Sequence, residues 1–314
     1  MVYYKIYTGS ILLKKGDFMN DRKQHVIKMA HQLFIDKGFQ ATSIQDILEY
    51  SGISKGTFYN YFPSKNELLI EMVRSIYSQL EKERNELLIG QDPADIDIFI
   101  QQIELQLITN RANKLIALFE EVYILNDEDL KEFIKRGQLR MLRWLYQRFI
   151  DLFGESKKYY LLDCSIIFLG ILNQNLKYHT IANEVNASIH QVVQYSVKRI
   201  VKMVEEVSST EDQLFQPELL DKWAPDCRHP NPGFQKDLHH TVLTLKKTIN
   251  KEEPKYVELL DFIQEELLRS KNPRRFLIES TLATIKASGL FKLMDTDKLE
   301  QLISAFFDQI KEPA

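Results

Sequence analysis

Apolar residues recur at helical spacing along almost the whole chain. Between residues 20 and 37 they fall at i, i+1, i+4, i+7 and i+8, at Val26, Ile27, Ala30, Leu33 and Phe34. That spacing places them on one face of a helix. The pattern therefore predicts a helix over 20–37, and similar patterns downstream predict an all-α chain.

The downstream segments are longer and carry recognisable start and stop signals. One stripe from Ile189 to Val204 and another from Leu299 to Ile310 keep helical spacing over several turns. Asn272-Pro273 is a helix start, and Gly289 is typical of a stop. We predict helices over 94–109, 111–124, 127–153, 157–184, 188–207, 235–250, 254–270, 273–288 and 296–311.

Between these long patterns lie two short helical segments with strong boundary signals. Gly38 ends the first helix, and Thr42-Ser-Ile-Gln45 is a capping-box pattern that opens a short second helix. Gly52 suits a tight turn with positive φ, Ser54 can cap a helix over 55–61, and Pro63 breaks it. Two short helices joined by a glycine turn predict a helix-turn-helix unit.

A second capping box, Ser64-Lys-Asn-Glu67, opens a long fourth helix over about 65–88. On the third helix, Phe58, Tyr61 and Phe62 share one face and should fill the small core. The residues left toward solvent are Lys55, Gly56, Thr57, Tyr59 and Asn60. Lysine, hydroxyl and amide groups are donors suited to phosphates and base edges.

Charge and composition restrict where a polyanion could bind. The 314-residue chain has a net charge of −3, so any nucleic-acid site must be local. Between Ser51 and Asn66 the only charges are Lys55 and Lys65.

Two cysteines suit a reducing cytosol, and no apolar run approaches the roughly 20 residues of a membrane helix. We therefore expect a cytoplasmic protein with no membrane segment.

The residues from Gly38 to Leu68 resemble a known family. The segments Gly38-Phe39-x-x-Thr42-Ser43-Ile44-x-x-Ile47 and SGISKGTFYNYFPSKNEL (51–68) are similar to the N-terminal domain of the tetracycline-repressor (TetR) family. The resemblance covers roughly residues 22–70. Leu48 and Tyr50 depart from it, because the family usually has alanines there.

The resemblance implies a homodimer whose third helix enters the major groove of a palindromic operator. It implies DNA contacts from Thr42, Ser43, Ser54, Lys55, Gly56, Thr57, Tyr59, Asn60 and Lys65. Among them, Tyr59, Thr42 and Lys65 are expected to hold phosphates, and Lys55, Thr57 and Asn60 to read base edges. Without the resemblance, an aromatic-rich helical hairpin in an interaction domain would be the alternative.

Five segments follow from these patterns. Residues 19–70 are expected to be the DNA-binding domain, 71–207 an effector-binding and dimerisation bundle, 208–234 a linker, and 235–314 an additional helical segment. For residues 1–18 we expect a disordered tail or a start-site artefact. Lys14 to Phe18 back-translate to a purine-rich, ribosome-binding-like run before Met19.

The family resemblance also implies a small, lipophilic effector in the C-terminal helices. The candidate residues are Phe119, Tyr123, Trp144, Asp163 and Phe168. Aromatic residues at helical spacing are also ordinary core. Asp163, the one acid in an apolar helix, could select a lipophilic cation or could pair with Arg140 or Arg143, since a buried charge is normally paired.

Other functional classes have weaker support. Cys227, His229, His239 and His240 could ligate zinc, with Asp226 and Asp237 nearby, but their spacing is not that of a structural zinc site. No nucleophile arrangement, phosphate-cradling glycine loop or hydrolase motif is present. We therefore expect no enzyme activity, no metal and no cofactor. The main alternative to a ligand-responsive repressor is an architectural or cell-cycle DNA-binding protein that signals through protein contacts.

Overall fold

The fold is known from a computed structural model, which describes residues 15–88, 90–125, 127–183, 188–223, 232–249, 253–270 and 273–310. Throughout these residues the chain forms helices and their connections, with no strand. The fold class is therefore all-α, as the sequence predicts. The helices are α1 (Lys15–Lys37), α2 (Ile44–Ser51), α3 (Lys55–Tyr61), α4 (Lys65–Glu86), α5 (Ile96–Ala112), α6 (Leu115–Leu125), α7 (Glu128–Phe153), α8 (Lys158–Asn183), α9 (Ile189–Thr210), α10 (Leu219–Trp223), α11 (Pro232–Lys247), α12 (Pro254–Arg269), α13 (Arg275–Ala287) and α14 (Leu293–Ile310).

Most boundaries lie within a few residues of the predicted ones, and two of the three main differences have a visible structural cause. Helix α1 begins at Lys15, five residues earlier than predicted. The break between α5 and α6 lies at 113–114, where Lys114 adopts a positive φ of 48°. A short helix, α10, interrupts the expected 208–234 linker because Leu220 is buried against Leu142 and Leu162. The expectations for residues 1–14 lie outside the described residues.

The chain forms two compact units. The first contains the residues up to Lys82 together with Leu105–Arg136. One hydrophobic core joins α1 to α4 with Leu118 and Val122 of α6, and Phe58 and Phe62 of α3 are fully buried in it. Helix α6 therefore shares a core with the helix-turn-helix, although its first residue, Leu115, lies 57 residues beyond Phe58 along the chain.

The second unit contains Glu83–Glu104 and the residues from Gly137 onward. Helices α8 and α9 pack along each other, and α9 buries the apolar stripe that its sequence predicts. Phe99, Phe149 and Phe168 meet at ring-centroid distances of 5.7 to 5.8 Å in an aromatic cluster. At the C-terminus, α11 to α14 pack around a hydrophobic core of their own.

Candidate nucleic-acid interface

The start of α2 is held by a capping box one residue later than predicted. Ser43, not Thr42, is the N-cap: its Oγ accepts a hydrogen bond from the amide of Asp46 at 3.1 Å. The Asp46 carboxylate accepts one from the amide of Ser43 at 2.8 Å. Lys37 Nζ donates to the same carboxylate at 2.8 Å. These contacts, with Lys37 first, hold the pKa of Asp46 well below its usual range.

The turn between α2 and α3 has the predicted geometry. Gly52 adopts the left-handed conformation, with φ of 67°, and its amide donates to the carbonyl of Leu48 at 2.9 Å. No atom lies within 4 Å of where a Cβ would stand, so the backbone angle and not the available space favours glycine. Ser54 then caps α3 by accepting from the amide of Thr57 at 3.2 Å.

Helix α3 has an inner aromatic face and an outer polar face. Phe58 and Phe62 contact each other inside the core, with ring centroids 5.7 Å apart. Tyr59 is 45% exposed. The other outward residues are Lys55, Gly56 and Asn60, and Thr57 is half-buried. The outer face therefore presents an ammonium, an amide and a phenol on one short helix.

Gly56 has no internal role that demands glycine. Its φ is not in the left-handed region, and the nearest atom to an added Cβ would be Ser54 Oγ at 3.9 Å. The space outside it is open. In the part of the chain that the structure describes, Lys55 has no ion-pair partner. An open backbone beside a lysine that is not neutralised is suited to close contact with a polyanion.

Thr42 and Lys65, in contrast, have their polar atoms engaged within the protein. The Thr42 side chain is fully buried, and its hydroxyl donates to the carbonyl of Gly38 at 2.7 Å. Lys65 Nζ donates to the carbonyls of Phe39 and Thr42, both at 2.8 Å, and lies 4.4 Å from the Phe39 ring centroid. Burial lowers the pKa of Lys65, and the carboxylates of Glu121 and Asp46 oppose that shift.

Glu121 of α6 completes the contacts of the turn at residues 38–42. Its Oε2 accepts a hydrogen bond from the amide of Gln40 at 3.0 Å. Gly38 has φ of 87°, and a Cβ there would lie 2.9 Å from Glu121 Oε1. Sequence reasoning missed Glu121 because it lies 81 residues beyond Gln40 and belongs to no local motif. Glu121 and Lys65 thus approach the same turn with opposite charges.

The five effector candidates are divided between the two units. Phe119 and Tyr123 lie on α6 in the first unit, where Phe119 packs against the hydrophobic core and Tyr123 is about half exposed. Trp144 and Phe168 lie in the second unit, and each ring contacts Phe99, at 6.4 and 5.8 Å between centroids. The structure therefore brings Trp144 and Phe168 into one aromatic cluster.

Asp163, the fifth candidate, is buried but has polar partners. Its two carboxylate oxygens accept the amides of Leu214 and Phe215 at 2.8 and 3.0 Å. Arg143, which the sequence offered as its partner, instead pairs with Asp221 at 2.9 Å. The carboxylate therefore fixes the segment that follows α9.

No group of three or more metal-ligating side chains occurs among the residues that the structure describes. Cys227 and His229 lie outside those residues, as does the side chain of His239. None of the described helices combines the length and the apolar character that crossing a bilayer requires.

Comparison with known proteins agrees with the geometry of the N-terminal helices. The family model for bacterial regulatory proteins of the tetR family matches residues 26–72, which include α2, α3 and the turn between them. The HTH-type transcriptional repressor KstR2 of Mycobacterium tuberculosis is 32% identical over 62 residues, covering 20% of this chain and 31% of that protein. No solved structure matches the chain.

Two Bacillus subtilis proteins match over most of the length. The uncharacterized HTH-type transcriptional regulator YerO is 28% identical over 276 residues, covering 86% of this chain and 92% of that protein. The uncharacterized HTH-type transcriptional regulator YuxN is 23% identical over 292 residues, covering 91% and 98%. Because 86% of 314 residues is about 270, the likeness to YerO extends beyond α11.

Proposed function

This chain belongs to the TetR family of transcriptional regulators, and on that premise we propose that it is a homodimeric repressor of a palindromic operator. A small lipophilic molecule bound in the C-terminal helical domain would release it from the operator. The observation that carries the proposal is the outer face of α3, which is polar, exposed and open at Gly56. The protein would be located in the cytoplasm, where the DNA is. It would regulate transcription and would not catalyse a reaction.

We assign the DNA contacts according to whether the polar group of each side chain is exposed or already hydrogen-bonded within the protein. Lys55, Thr57 and Asn60 on α3 would read base edges in the major groove, with Tyr59 and the capping hydroxyls of Ser43 and Ser54 near phosphates. Gly56 would allow the backbone of α3 to approach the DNA. Thr42 and Lys65 would act by positioning, because their polar atoms are engaged with the turn at residues 38–42.

Exposed apolar residues on α8 and α9 support self-association. Ile167, Tyr178 and Ile181 lie on one face of α8, and Tyr178 is 63% exposed. Tyr195 of α9 is also exposed. Large exposed apolar side chains that share a helix face are typical of an interaction surface. A dimer formed there would present two α3 helices to half-sites roughly 34–36 Å apart.

The aromatic cluster of the second unit supports a lipophilic effector. Phe99, Phe168 and Trp144 form its rings, and the guanidinium of Arg84 stacks on Trp144 at 4.1 Å. Ligand sites are lined mainly by apolar and aromatic side chains with a few polar groups. An effector bound there can change the DNA affinity only to the extent that it binds the DNA-bound and DNA-free states of the protein with different affinities.

Selection of genomic fragments on the purified chain, followed by footprinting, tests the proposal. We expect one or a few near-palindromic sites. Lys55→Ala should weaken binding about tenfold or more and relax sequence preference. Lys298→Ala, an exposed lysine of α14, serves as the matched control and should leave both unchanged. Many scattered sites without a shared palindrome would refute the proposal and favour an architectural protein.

A further inference from the structure

The aromatic cluster of the second unit contains a buried arginine, Arg148 of α7. Its side chain is 3% exposed, and its guanidinium carbon lies 6.0 Å from the Phe99 ring centroid. A guanidinium has five N–H donors and no acceptor, so its burial requires acceptors from other groups. The partners of Arg148 therefore show which of its donors the protein itself uses.

The protein supplies acceptors for two of the three guanidinium nitrogens. Nε donates to Gln102 Oε1 at 2.9 Å. Nη1 donates to the carbonyl of Pro93 at 3.0 Å and to Asp151 Oδ2 at 2.9 Å. These contacts tie α7 to α5 and to the residues before it, and they account for a structural role. Nη2 is buried and, among the residues that the structure describes, has no hydrogen-bond partner.

The position of Nη2 favours an additional acceptor. A buried donor without an acceptor loses its hydration and gains no bond in return, and most buried polar groups in folded proteins are paired. Burial also lowers the pKa of Arg148, and the Asp151 carboxylate opposes that shift. A negatively charged acceptor beside Nη2 would stabilise the buried cation and form a stronger hydrogen bond than a neutral one.

A second guanidinium contacts the same group of rings. Arg84 Cζ lies 4.1 Å from the Trp144 ring centroid, and the Trp144 ring stacks on Phe99 with centroids 6.4 Å apart. Gln102 links the two arginines, because its Nε2 donates to the Arg84 carbonyl at 2.8 Å while its Oε1 accepts from Arg148. Two cations beside one aromatic cluster attract an anionic ligand and repel a cationic one.

Trp144 is the most accessible ring of the cluster. Phe99, Phe149 and Phe168 are fully buried, whereas Trp144 is half-buried. A ligand entering past Trp144 would place its carbon skeleton against the rings and its polar group within reach of the guanidiniums. Ligand sites commonly combine apolar walls with a few polar groups that fix the orientation of the ligand.

We infer that the aromatic cluster binds a lipophilic carboxylate as the effector, with the carboxylate accepting hydrogen bonds from Arg148 Nη2 and the carbon skeleton against Trp144. The inference rests on the proposed function, since it takes this cluster as the effector site. It adds the charge and the functional group of the effector. The lipophilic cation that Asp163 suggested in the sequence does not fit, because both oxygens of that carboxylate accept backbone amides.

Titration calorimetry of the full-length protein with matched ligands tests this inference. The probes are decanoate, decanol and decylamine, and phenylpropionate, phenylpropanol and phenylpropylamine. Within each set the carbon skeleton is the same and only the head group changes. We expect the acid to bind about tenfold or more tightly than its alcohol, because a charge-assisted hydrogen bond is roughly twice as strong as a neutral one. The amine should bind most weakly.

Arg148→Lys tests the assigned residue. Lysine keeps a positive charge for Asp151 but lacks the planar fork that places a donor at Nη2. The preference for the acid over the alcohol should fall about tenfold, to near equality. Arg199→Lys, at an exposed position of α9, is the matched control and should keep the wild-type preference. Circular dichroism establishes that both variants are folded.

The fluorescence of Trp144 locates the ligand without altering Arg148. The chain has two tryptophans, so Trp223→Phe leaves Trp144 as the single reporter. Saturation with decanoate should change the emission of Trp144. This measurement and the acid preference of the unmodified chain decide the inference even where Arg148→Lys does not fold.

Three outcomes would overturn the inference. If no acid binds, or if an alcohol binds as tightly as its acid, Nη2 is satisfied by water only. An acid preference that survives in folded Arg148→Lys would place the carboxylate at another group. Unchanged emission of Trp144 at saturation would place the ligand outside the cluster.

These outcomes are separate from a failure of the proposed function, because the titrations contain no DNA. If operator fragments are released by decanol or decylamine but not by decanoate, release by an effector stands and the carboxylate inference fails. If decanoate binds with the Arg148-dependent preference but releases no operator, the carboxylate site stands and the proposed release fails.

Discussion

Replacing Lys65 by methionine distinguishes a residue that holds the turn from one that holds a phosphate. The ammonium donates two hydrogen bonds of 2.8 Å to the carbonyls of Phe39 and Thr42 and lies over the Phe39 ring. Methionine keeps most of the side-chain length but removes the charge and the donors. The carbonyls at residues 39 and 42 then lose their partner, and the start of α2 is less firmly held.

The expected magnitude follows from those contacts. A hydrogen bond to a charged group contributes about 1.5–3 kcal/mol, and a cation–π contact about 0.5–2 kcal/mol. Because the ammonium of Lys65 is only partly buried, water replaces much of what is lost. We therefore expect a local destabilisation of about 2–3 kcal/mol. If DNA binding requires the turn and the turn is mostly unformed in the free variant, this corresponds to at most roughly 30- to 150-fold weaker binding.

The assay is a titration of operator DNA at several salt concentrations. Loss of a phosphate contact reduces the slope of log K against log salt by about 0.9. Loss of a positioning contact lowers affinity while leaving the slope unchanged, and that is the result we expect. Hydrogen exchange of the α2 amides reports the local destabilisation directly. Tryptophan fluorescence would not report on it, because Trp144 and Trp223 both lie in the second unit.

A matched control and a refuting result complete the design. Lys298→Met removes an exposed lysine of α14 and should change neither the affinity nor the α2 exchange rates. The reasoning fails if Lys65→Met lowers the slope by about one while the α2 amides exchange at the wild-type rate. That combination would place Lys65 on a DNA phosphate in the complex.

Two further predictions concern carboxylates with defined partners. The pKa of Asp46 is depressed in the folded state, so the stabilisation from its carboxylate is present above the unfolded pKa of about 3.9 and is lost as pH falls through the folded value. Asp46→Asn should therefore lower the free energy of unfolding at pH 7. If the difference in unfolding free energy between the wild type and this variant does not narrow below about pH 4, the reasoning is contradicted. Asp163→Asn leaves one of the amides of Leu214 and Phe215 without its acceptor, so we expect a loss of about 1–3 kcal/mol and faster exchange of both amides. Unchanged exchange of both amides would mean that the carboxylate does not hold this segment.

Local signals in the sequence were sufficient for the helix-turn-helix. The left-handed Gly52, the Ser54 cap and the aromatic spacing of α3 depend on neighbours within four residues, and the structure confirms each. Such features are visible in sequence because the groups that satisfy one another are close along the chain. The long helices were predicted for the same reason, from the period of their apolar faces.

The sequence was misleading where two adjacent residues could play one role. Thr42 and Ser43 both fit an N-cap, and the choice of Ser43 depends on Thr42 being buried with its hydroxyl directed at Gly38. Likewise α10 has too few residues to show a period. It forms because Leu220 finds a buried site on residues far away in sequence.

The tertiary structure alone decided which distant groups meet. It brings Glu121 to the turn at Gly38 and directs Asp163 to two backbone amides rather than to an arginine. It also closes α11 to α14 around a hydrophobic core of their own. Periodicity shows that a helix has an apolar face, but only packing determines whether that face is covered, because coverage depends on residues with no fixed distance along the chain.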